Sequence, residues 1–239
     1  MTKPYKTYFN WSSGKDSAFA LYKLLNDSDY SIKELVTTIN TGYNRVSMHG
    51  LRKELLIAQT DAIGLPASII ELPEQPTMAI YEDKMRDATN RLKSKGLTHA
   101  AFGDIFLEDL RAYRDKQLQN QKLKSIYPLW KEDTTSLIHR FLEIGFKAIV
   151  VCANSKYFNE DFVGTDIDEY FIKHLPKDVD PCGENGEFHT FCYDGPIFRD
   201  PIPFKIGEKV YREYKTPKSE KSSNAEGKTG FWYCDLIRS

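Results

Sequence analysis

The 239-residue chain has only four cysteines, Cys152, Cys182, Cys192 and Cys234, and no two of them form a C-x-x-C pair. That spacing excludes a zinc ribbon and a thioredoxin-type redox motif. It points to free thiols in a reducing compartment rather than a disulfide framework. Long apolar runs are also missing: the longest, Ala148 to Ala153, is far too short to span a bilayer. No apolar segment follows the basic start Met1-Thr2-Lys3-Pro4-Tyr5-Lys6, so a secretory signal is not expected. The expectation is a cytoplasmic protein with no membrane partner. Excess charge is absent as well, since 33 Lys+Arg against 34 Asp+Glu leave a formal net charge of −1. That balance argues against nucleic acid bound by bulk positive charge. There is no internal repeat. What remains is 41% hydrophobic and 28% charged, enough apolar residues for a core and too many for a disordered chain.

The first half alternates short β-prone runs with helical spacing. Tyr5–Trp11, Leu35–Asn40, Ala67–Leu72 and His99–Ile105 read as strands; Asp16–Asn26, Leu51–Ile63, Thr77–Lys95 and Glu108–Lys122 read as helices. That β-α order predicts an α/β fold, a parallel sheet with helices on both faces. Thr134–Ile144 reads as a further helix and Phe146–Cys152 as a strand. From Pro181 onward Gly and Pro become frequent, and Phe188–Tyr193, Lys209–Lys215 and Gly230–Ile237 are short strand-like pieces. A smaller, irregular, β-containing C-terminal lobe is expected, with the polar stretch Thr216–Thr229 a mobile loop between its last two strands. The expected division is 1–130 for the first domain and 131–239 for the second.

The most informative stretch is Ser12-Ser13-Gly14-Lys15-Asp16-Ser17, between the first strand and the first helix. A helix start leaves backbone N–H groups free to hold an anion. Gly14 would let the backbone approach closely, Ser12, Ser13 and Ser17 add hydroxyls, and Lys15 adds charge. This is not a Walker loop, which needs Gly where Phe9 stands and Ser/Thr where Asp16 stands. A carboxylate beside a phosphate is repulsive unless Mg²⁺ lies between them, so Asp16 implies a metal-neutralised phosphate or a helix-start role. By itself the stretch also fits a serine-capped helix start. A second motif, Gly183-Glu184-Asn185-Gly186-Glu187-Phe188-His189-Thr190-Phe191, sets two carboxylates three residues apart in a glycine turn before a strand. Such a pair suits a cationic substrate, a metal or proton transfer, and alone also fits a solvated turn.

The first stretch resembles the S-G-G-x-D-S loop of the PP-loop ATP pyrophosphatases, with Ser13 in place of a glycine. With the second motif, the chain resembles the diphthine–ammonia ligase branch of that family. Its G-E-G-G-E-Y/F-x-T-F block stands at 183–191, with Asn185 replacing a glycine. The G-x-I block is matched by Gly103-Asp104-Ile105 and the P-L-W block by Pro128-Leu129-Trp130. The resemblance runs from about Tyr8 to about Phe204 and implies a HUP-type, Rossmann-like fold that uses ATP and Mg²⁺. It implies a nucleotide site at Ser12, Ser13, Gly14, Lys15, Asp16, Ser17, Gly103 and Asp104, with Asp16 and Asp104 toward the metal. Lys15, Asp16, Glu184 and Glu187 are implied as catalytic, and Glu184, Glu187, His189 and Thr190 as substrate contacts.

The implied reaction adenylates a carboxylate, releases pyrophosphate and then forms an amide with ammonia. The implied acceptor is diphthine on elongation factor 2; a small-molecule carboxylate is the first alternative. A tRNA-modifying PP-loop enzyme and a non-catalytic nucleotide sensor remain further readings. Length and Thr2 leave no expected glutaminase, so free ammonium is the expected nitrogen source. A homo-oligomer is compatible with the sequence. Among the remaining features, His49-Gly50-Leu51-Arg52 fits a nucleotide or acceptor contact as well as a polar helix start. Arg111, Arg114, Lys116, Lys122 and Lys124 read as a solvated basic helix face. Phe141, Phe146, Tyr157 and Phe158 read as core.

Overall fold

Strand β1 (Tyr5–Asn10) lies in the middle of a parallel sheet, and alternation along it feeds two apolar layers. Phe9 packs with α1 (Lys15–Leu25) and α2 (Lys53–Ile63), while Tyr8 packs with α3 (Met78–Ser94) and α4 (Glu108–Asn120). Helices therefore cover both faces, as the sequence pattern predicts. The computed structural model describes residues 3–46, 49–215 and 228–239. Within them β1 pairs in parallel with β2 (Tyr30–Asn40) and β5 (His99–Ala101). Outside these, β4 (Ala67–Leu72) adds to β2 and β6 (Lys124–Ile126) to β5, again in parallel. The two-residue β3 (Arg45–Val46) runs antiparallel to the end of β2.

The second lobe is more regular than its glycines and prolines suggest. After α5 (Thr134–Glu143) come β7 (Lys147–Asn154), a short 3-10 turn at Glu160–Phe162 and α6 (Glu169–Lys173). Then β8 (Phe188–Asp194), β9 (Phe204–Lys215) and β10 (Lys228–Arg238) complete an antiparallel sheet ordered β8-β7-β10-β9. The turn residues mark its connections, while β9 and β10 pair along a long ladder from Lys228↔Lys215 to Arg238↔Phe204. Most of the expected Thr216–Thr229 loop lies outside the described residues; Lys228 and Thr229 belong to β10.

The basic stretch is not one helix. α4 stops at Asn120, Lys122 takes φ +58° and Lys124 opens β6. Nor are its arginines a solvated face. The Arg111 guanidinium lies 4.4 Å from the Trp130 ring centroid and 4.8 Å from that of Tyr127, and Arg114 pairs with Asp104. Phe141 and Phe146 stack with centroids 4.9 Å apart, inside one apolar core that continues from Phe9 to Phe188, Phe191 and Leu236 of the second sheet. Each such ring buried contributes roughly 1.5–3 kcal/mol. The shared core presses β8 against the start of α1.

Candidate active site

The chain leaves β1 through Trp11, whose amide donates to Val36 O at 2.7 Å. Ser12 then closes the loop locally: its amide donates to Ser17 Oγ at 3.1 Å, and the two hydroxyls lie 2.9 Å apart. Ser13 adopts φ +74°, the region where glycine carries no penalty, and its buried hydroxyl has no hydrogen-bond partner among the described residues. Its carbonyl is held from two sides, by Cys192 N–H at 2.9 Å and by Gln59 Nε2 at 3.0 Å. Gly14 is extended, and a Cβ there would lie 2.8 Å from His49 Cε1 and 3.3 Å from Thr190 O. The space beside Gly14 is thus filled by the His49 ring and by Thr190, so a side chain at this position would clash. The first turn-to-turn bond of α1 is Ala18 N–H to Gly14 O, at 3.0 Å, which leaves the earlier amides outside the helical ladder.

Lys15 is buried, with 2% side-chain exposure against 26% for Asp16. Its ammonium donates to both Asp16 oxygens, at 2.9 and 2.8 Å, and to Cys182 O. Burial opposes the Lys15 charge, yet Asp16, with help from Cys182 and Glu184, holds its pKa above the ordinary lysine value. Burial likewise pushes the Asp16 carboxyl up, against the lowering pull of Lys15.

The glycine turn is organised by Asp180, which the sequence reading missed. Its Oδ1 accepts from Cys182 N–H at 2.9 Å and Glu184 N–H at 3.3 Å. Gly183 and Gly186 take φ +69° and +80°, so the turn folds back on itself. The two glutamates then part company. Glu184 Oε1 accepts from Ile105 N–H at 2.9 Å, across the gap to the first sheet. Burial and, second, the Asp16 charge push its carboxyl up to about 7. Glu187 turns inward. Its oxygens accept from Asp180 N–H at 3.1 Å and from Asn185 N–H and Nδ2 at 2.8 and 3.1 Å. Glu187, expected as a catalytic and substrate residue, thus has its carboxylate bonded inside its own turn rather than facing Lys15 and Asp16.

A cavity of about 770 Å³ opens where these pieces meet, within the range of small-ligand sites. Ser12, Lys15, Asp16, Ser17 and Glu184 line it, as do His189, Thr190, Gly103 and Asp104; Ser13, Gly14 and Glu187 do not. Gly103 packs against the start of α1, where a Cβ would sit 3.0 Å from Ser17 N and Cα. Asp104 is paired with Arg114, whose guanidinium lies 4.6 Å from the Phe102 ring centroid. His49 also lines the cavity; it bonds Thr190 O through Nδ1 at 3.0 Å, and its ring lies 5.0 Å from that of His189. Burial pushes His49 down to about 4 and His189 to about 3, so both imidazoles are neutral at neutral pH. All four cysteines are buried free thiols, and burial pushes Cys182 and Cys192 up, away from nucleophilic thiolates.

No cluster of three His, Cys, Asp or Glu among the described residues could hold a metal by itself. That fits Mg²⁺ carried in with phosphates, which needs only one or two carboxylates. Asp16 and Asp104 both line the cavity, and each has a cationic partner, Lys15 and Arg114; Asp16 is the more exposed, at 26% against 13%.

A parallel α/β sheet with a cavity-facing loop at its first helix, closed by an antiparallel lobe, is the arrangement expected of a PP-loop type of protein. Residues 5–125 match the diphthamide synthase N-terminal domain and residues 133–221 the diphthamide synthase C-terminal domain, and the chain belongs to this family. No curated protein matches the sequence. Among solved structures, the chain is similar to a U34-tRNA thiolase, NcsA, from Methanococcus maripaludis, determined with its [4Fe-4S] cluster. The identity is 16% and the TM-score 0.38, over 60% of this chain and 59% of the thiolase chain. No helix among the described residues is long and apolar enough to cross a membrane.

Proposed function

We propose that the protein is an AMP-forming amide ligase of the diphthine–ammonia ligase type, with ATP bound in the 1–130 half and residues 131–239 closing over the reacting group. The observation that carries this reading is the buried Lys15–Asp16 pair with Glu184 facing it from the other lobe. The Lys15 charge and the α1 amides beyond that of Lys15, which donates to Thr190 Oγ1 at 3.0 Å, are preorganised for the charge that gathers on departing pyrophosphate. Asp16 would hold Mg²⁺, which supplies neutralising charge to the phosphates when bound.

An acceptor carboxylate oxygen attacks the α-phosphorus, and the bond to the bridging oxygen of pyrophosphate breaks. Ammonia then attacks the acyl carbon, and AMP leaves with the electrons of the carbon–oxygen bond. The proton lost by the nitrogen passes to Glu184, whose pKa of about 7 suits a base working near neutrality. Neutral His189 and the Thr190 hydroxyl group border the same space as hydrogen-bonding groups. Diphthine on elongation factor 2 is the acceptor the family suggests; a small carboxylate is the second reading.

The test is pyrophosphate and AMP release from ATP, Mg²⁺ and ammonium with diphthine-bearing elongation factor 2 or a panel of small carboxylates. Acceptor-dependent release that Lys15→Met abolishes is expected. Release that Lys15→Met leaves unchanged would overturn the assignment of the loop.

A further inference from the structure

The reaction above brings in ammonia without a place to hold it. Two imidazoles in the cavity are placed for that task. His49 comes from the segment between β3 and α2 and His189 from β8, so each lobe supplies one. Their rings lie 5.0 Å apart, tilted by 35°. Thr190 O can only accept, so its 3.0 Å bond to His49 Nδ1 puts the proton of the neutral ring on Nδ1 and leaves a lone pair on Nε2. Neither that nitrogen nor the two of His189 bond any group among the described residues. They are not sealed away: the fully buried side-chain N and O atoms without a partner among the described residues are Ser13 Oγ and Gln121 Oε1. Both histidines line the cavity, so their unbonded nitrogens open into it.

Neutral groups back the pair and a cation flanks it. In the sheet register Cys152 of β7 lies opposite His189, and Tyr233 of β10 opposite Cys152. Burial pushes the Cys152 thiol up to about 12 and raises the Tyr233 hydroxyl as well, so both keep their protons. A Cβ on Gly50, next to His49, would lie 3.2 Å from Tyr233 Cδ1, so the second sheet closes this end. On the other side stands the β1–α1 loop, where Gly14 meets the His49 ring and Lys15 carries its charge. Burial is the main cause that keeps both rings neutral, and Lys15 adds to it. The carboxylates of this region are Asp16, engaged by Lys15, and Glu184 of the glycine turn. Lone pairs beside a lysine charge hold a neutral donor and disfavour a cation. Ammonia is such a donor, and its own lone pair stays available for the acyl carbon.

We propose that His49 and His189 together form the ammonia site, holding the uncharged nucleophile by its N–H bonds beside the β1–α1 loop and excluding ammonium ion. This rests on the ligase reading for the step that follows, while the binding itself needs only the two histidines. Ammonium gives its proton to water before it enters. The ammonia nitrogen then bonds the acyl carbon, AMP leaves with the electrons of the carbon–oxygen bond, and the proton released by the nitrogen goes to Glu184. His49 Nε2 and the acceptor nitrogen of His189 bind and orient; neither ring takes up the proton.

The experiment follows the imidazole nitrogens of the full-length protein by nitrogen-15 NMR during titration with ammonium chloride, and with potassium chloride at equal ionic strength. It needs neither nucleotide nor acceptor. Titrations at about pH 7.5 and about pH 8.5 change the free ammonia in a given total about tenfold. Saturable shifts of the His49 and His189 nitrogens with ammonium chloride are expected, and none with potassium chloride. The total ammonium needed for half-saturation should fall about tenfold at the higher pH. His49→Asn keeps a donor near the Nδ1 position and removes Nε2; His189→Phe keeps a ring and removes both nitrogens. Each should weaken binding about fivefold or more, read on the remaining histidine. Should a variant fail to fold, the wild-type titrations decide alone. No saturable shift, an equal response to potassium, half-saturation at the same total ammonium at both pH values, or full affinity in both folded variants would each overturn the assignment. Ammonia binding without acceptor-dependent pyrophosphate release would overturn the ligase reading and leave the ammonia site standing.

Discussion

Gln59 donates from Nε2 to Ser13 O at 3.0 Å, and so clamps the one non-glycine residue of the β1–α1 loop that sits at positive φ. The same nitrogen donates to Cys192 O at 2.6 Å, and Oε1 accepts from Trp11 Nε1 at 3.1 Å. A single fully buried carboxamide thus joins the end of β1, the loop and β8. Gln59→Leu would leave the Trp11 N–H and the Cys192 carbonyl buried without this partner. A loss of about 3 kcal/mol in urea unfolding is expected, from about 1–3 kcal/mol per orphaned group. A change within a few tenths of a kcal/mol would show that the clamp carries no load.

Ser13→Gly should act in the opposite direction. It removes an L-residue from φ +74° and deletes a buried hydroxyl that bonds nothing. These gains outweigh the entropy cost of glycine, about 0.5–1 kcal/mol. The variant should be more stable by about 1 kcal/mol in the same unfolding measurement. A lower midpoint would mean that the serine hydroxyl has a partner in solution.

The two glutamates of the turn should separate by phenotype. Glu187→Gln sets an NH₂ group against backbone or side-chain N–H donors from Asp180 or Asn185, and should cost about 2 kcal/mol of stability. Glu184→Gln should leave the midpoint at pH 7 within about 1 kcal/mol and still release pyrophosphate, with amide formation slowed about a hundredfold or more. Single-turnover assays of the two products, beside thermal unfolding, check both.

The site also sets a pH dependence of stability whose sign can be worked out. The folded pKa of Glu184 is raised from 4.5 to about 7, so its contribution is full below 4.5 and is lost as pH rises toward 7. His49 and His189 are lowered from 6.5 to about 4 and about 3, so theirs is full above 6.5 and is lost as pH falls through those values. Near the middle of the interval from pH 4.5 to 6.5, the unfolded chain holds two extra histidine protons and the native chain one extra glutamate proton. The difference, 2 − 1 = 1, makes these groups raise stability by about 1.4 kcal/mol per pH unit. Removing the Glu184 proton by Glu184→Gln should steepen the measured slope by about 1.4 kcal/mol per pH unit. Parallel stability curves for the two proteins would disprove the raised Glu184 pKa.

Local chemistry made much of this architecture readable. Ala67–Leu72 is a strand with the same ends in sequence and structure, and Thr77 caps α3 by accepting from Ile80 N–H at 3.3 Å. The β1–α1 loop is legible as a strand-to-helix junction because Ser, Gly and Asp favour helix starts. By contrast, β6 is only three residues long and carries no periodicity of its own. It exists because Lys124–Ile126 pair with His99–Ala101. Arg111 and Arg114 read as a solvated face until the fold brought Trp130 and Asp104 against them.

The sequence by itself determined the alternation of strands and helices, the serine- and glycine-bearing β1–α1 loop and the presence of two glutamates in a glycine turn, since each is written in neighbouring residues. Only the tertiary structure decided what those residues do. Glu184 and Glu187 are equivalent as letters; Ile105, 79 positions from Glu184, draws one toward the cavity, while Asp180 and Asn185 draw the other into the turn. Gln59 carries no sequence signal, because its partner Cys192 is 133 positions away. Spacing along a chain encodes period and turns, whereas burial, charge and the identity of a hydrogen-bond partner depend on which distant backbone arrives beside it.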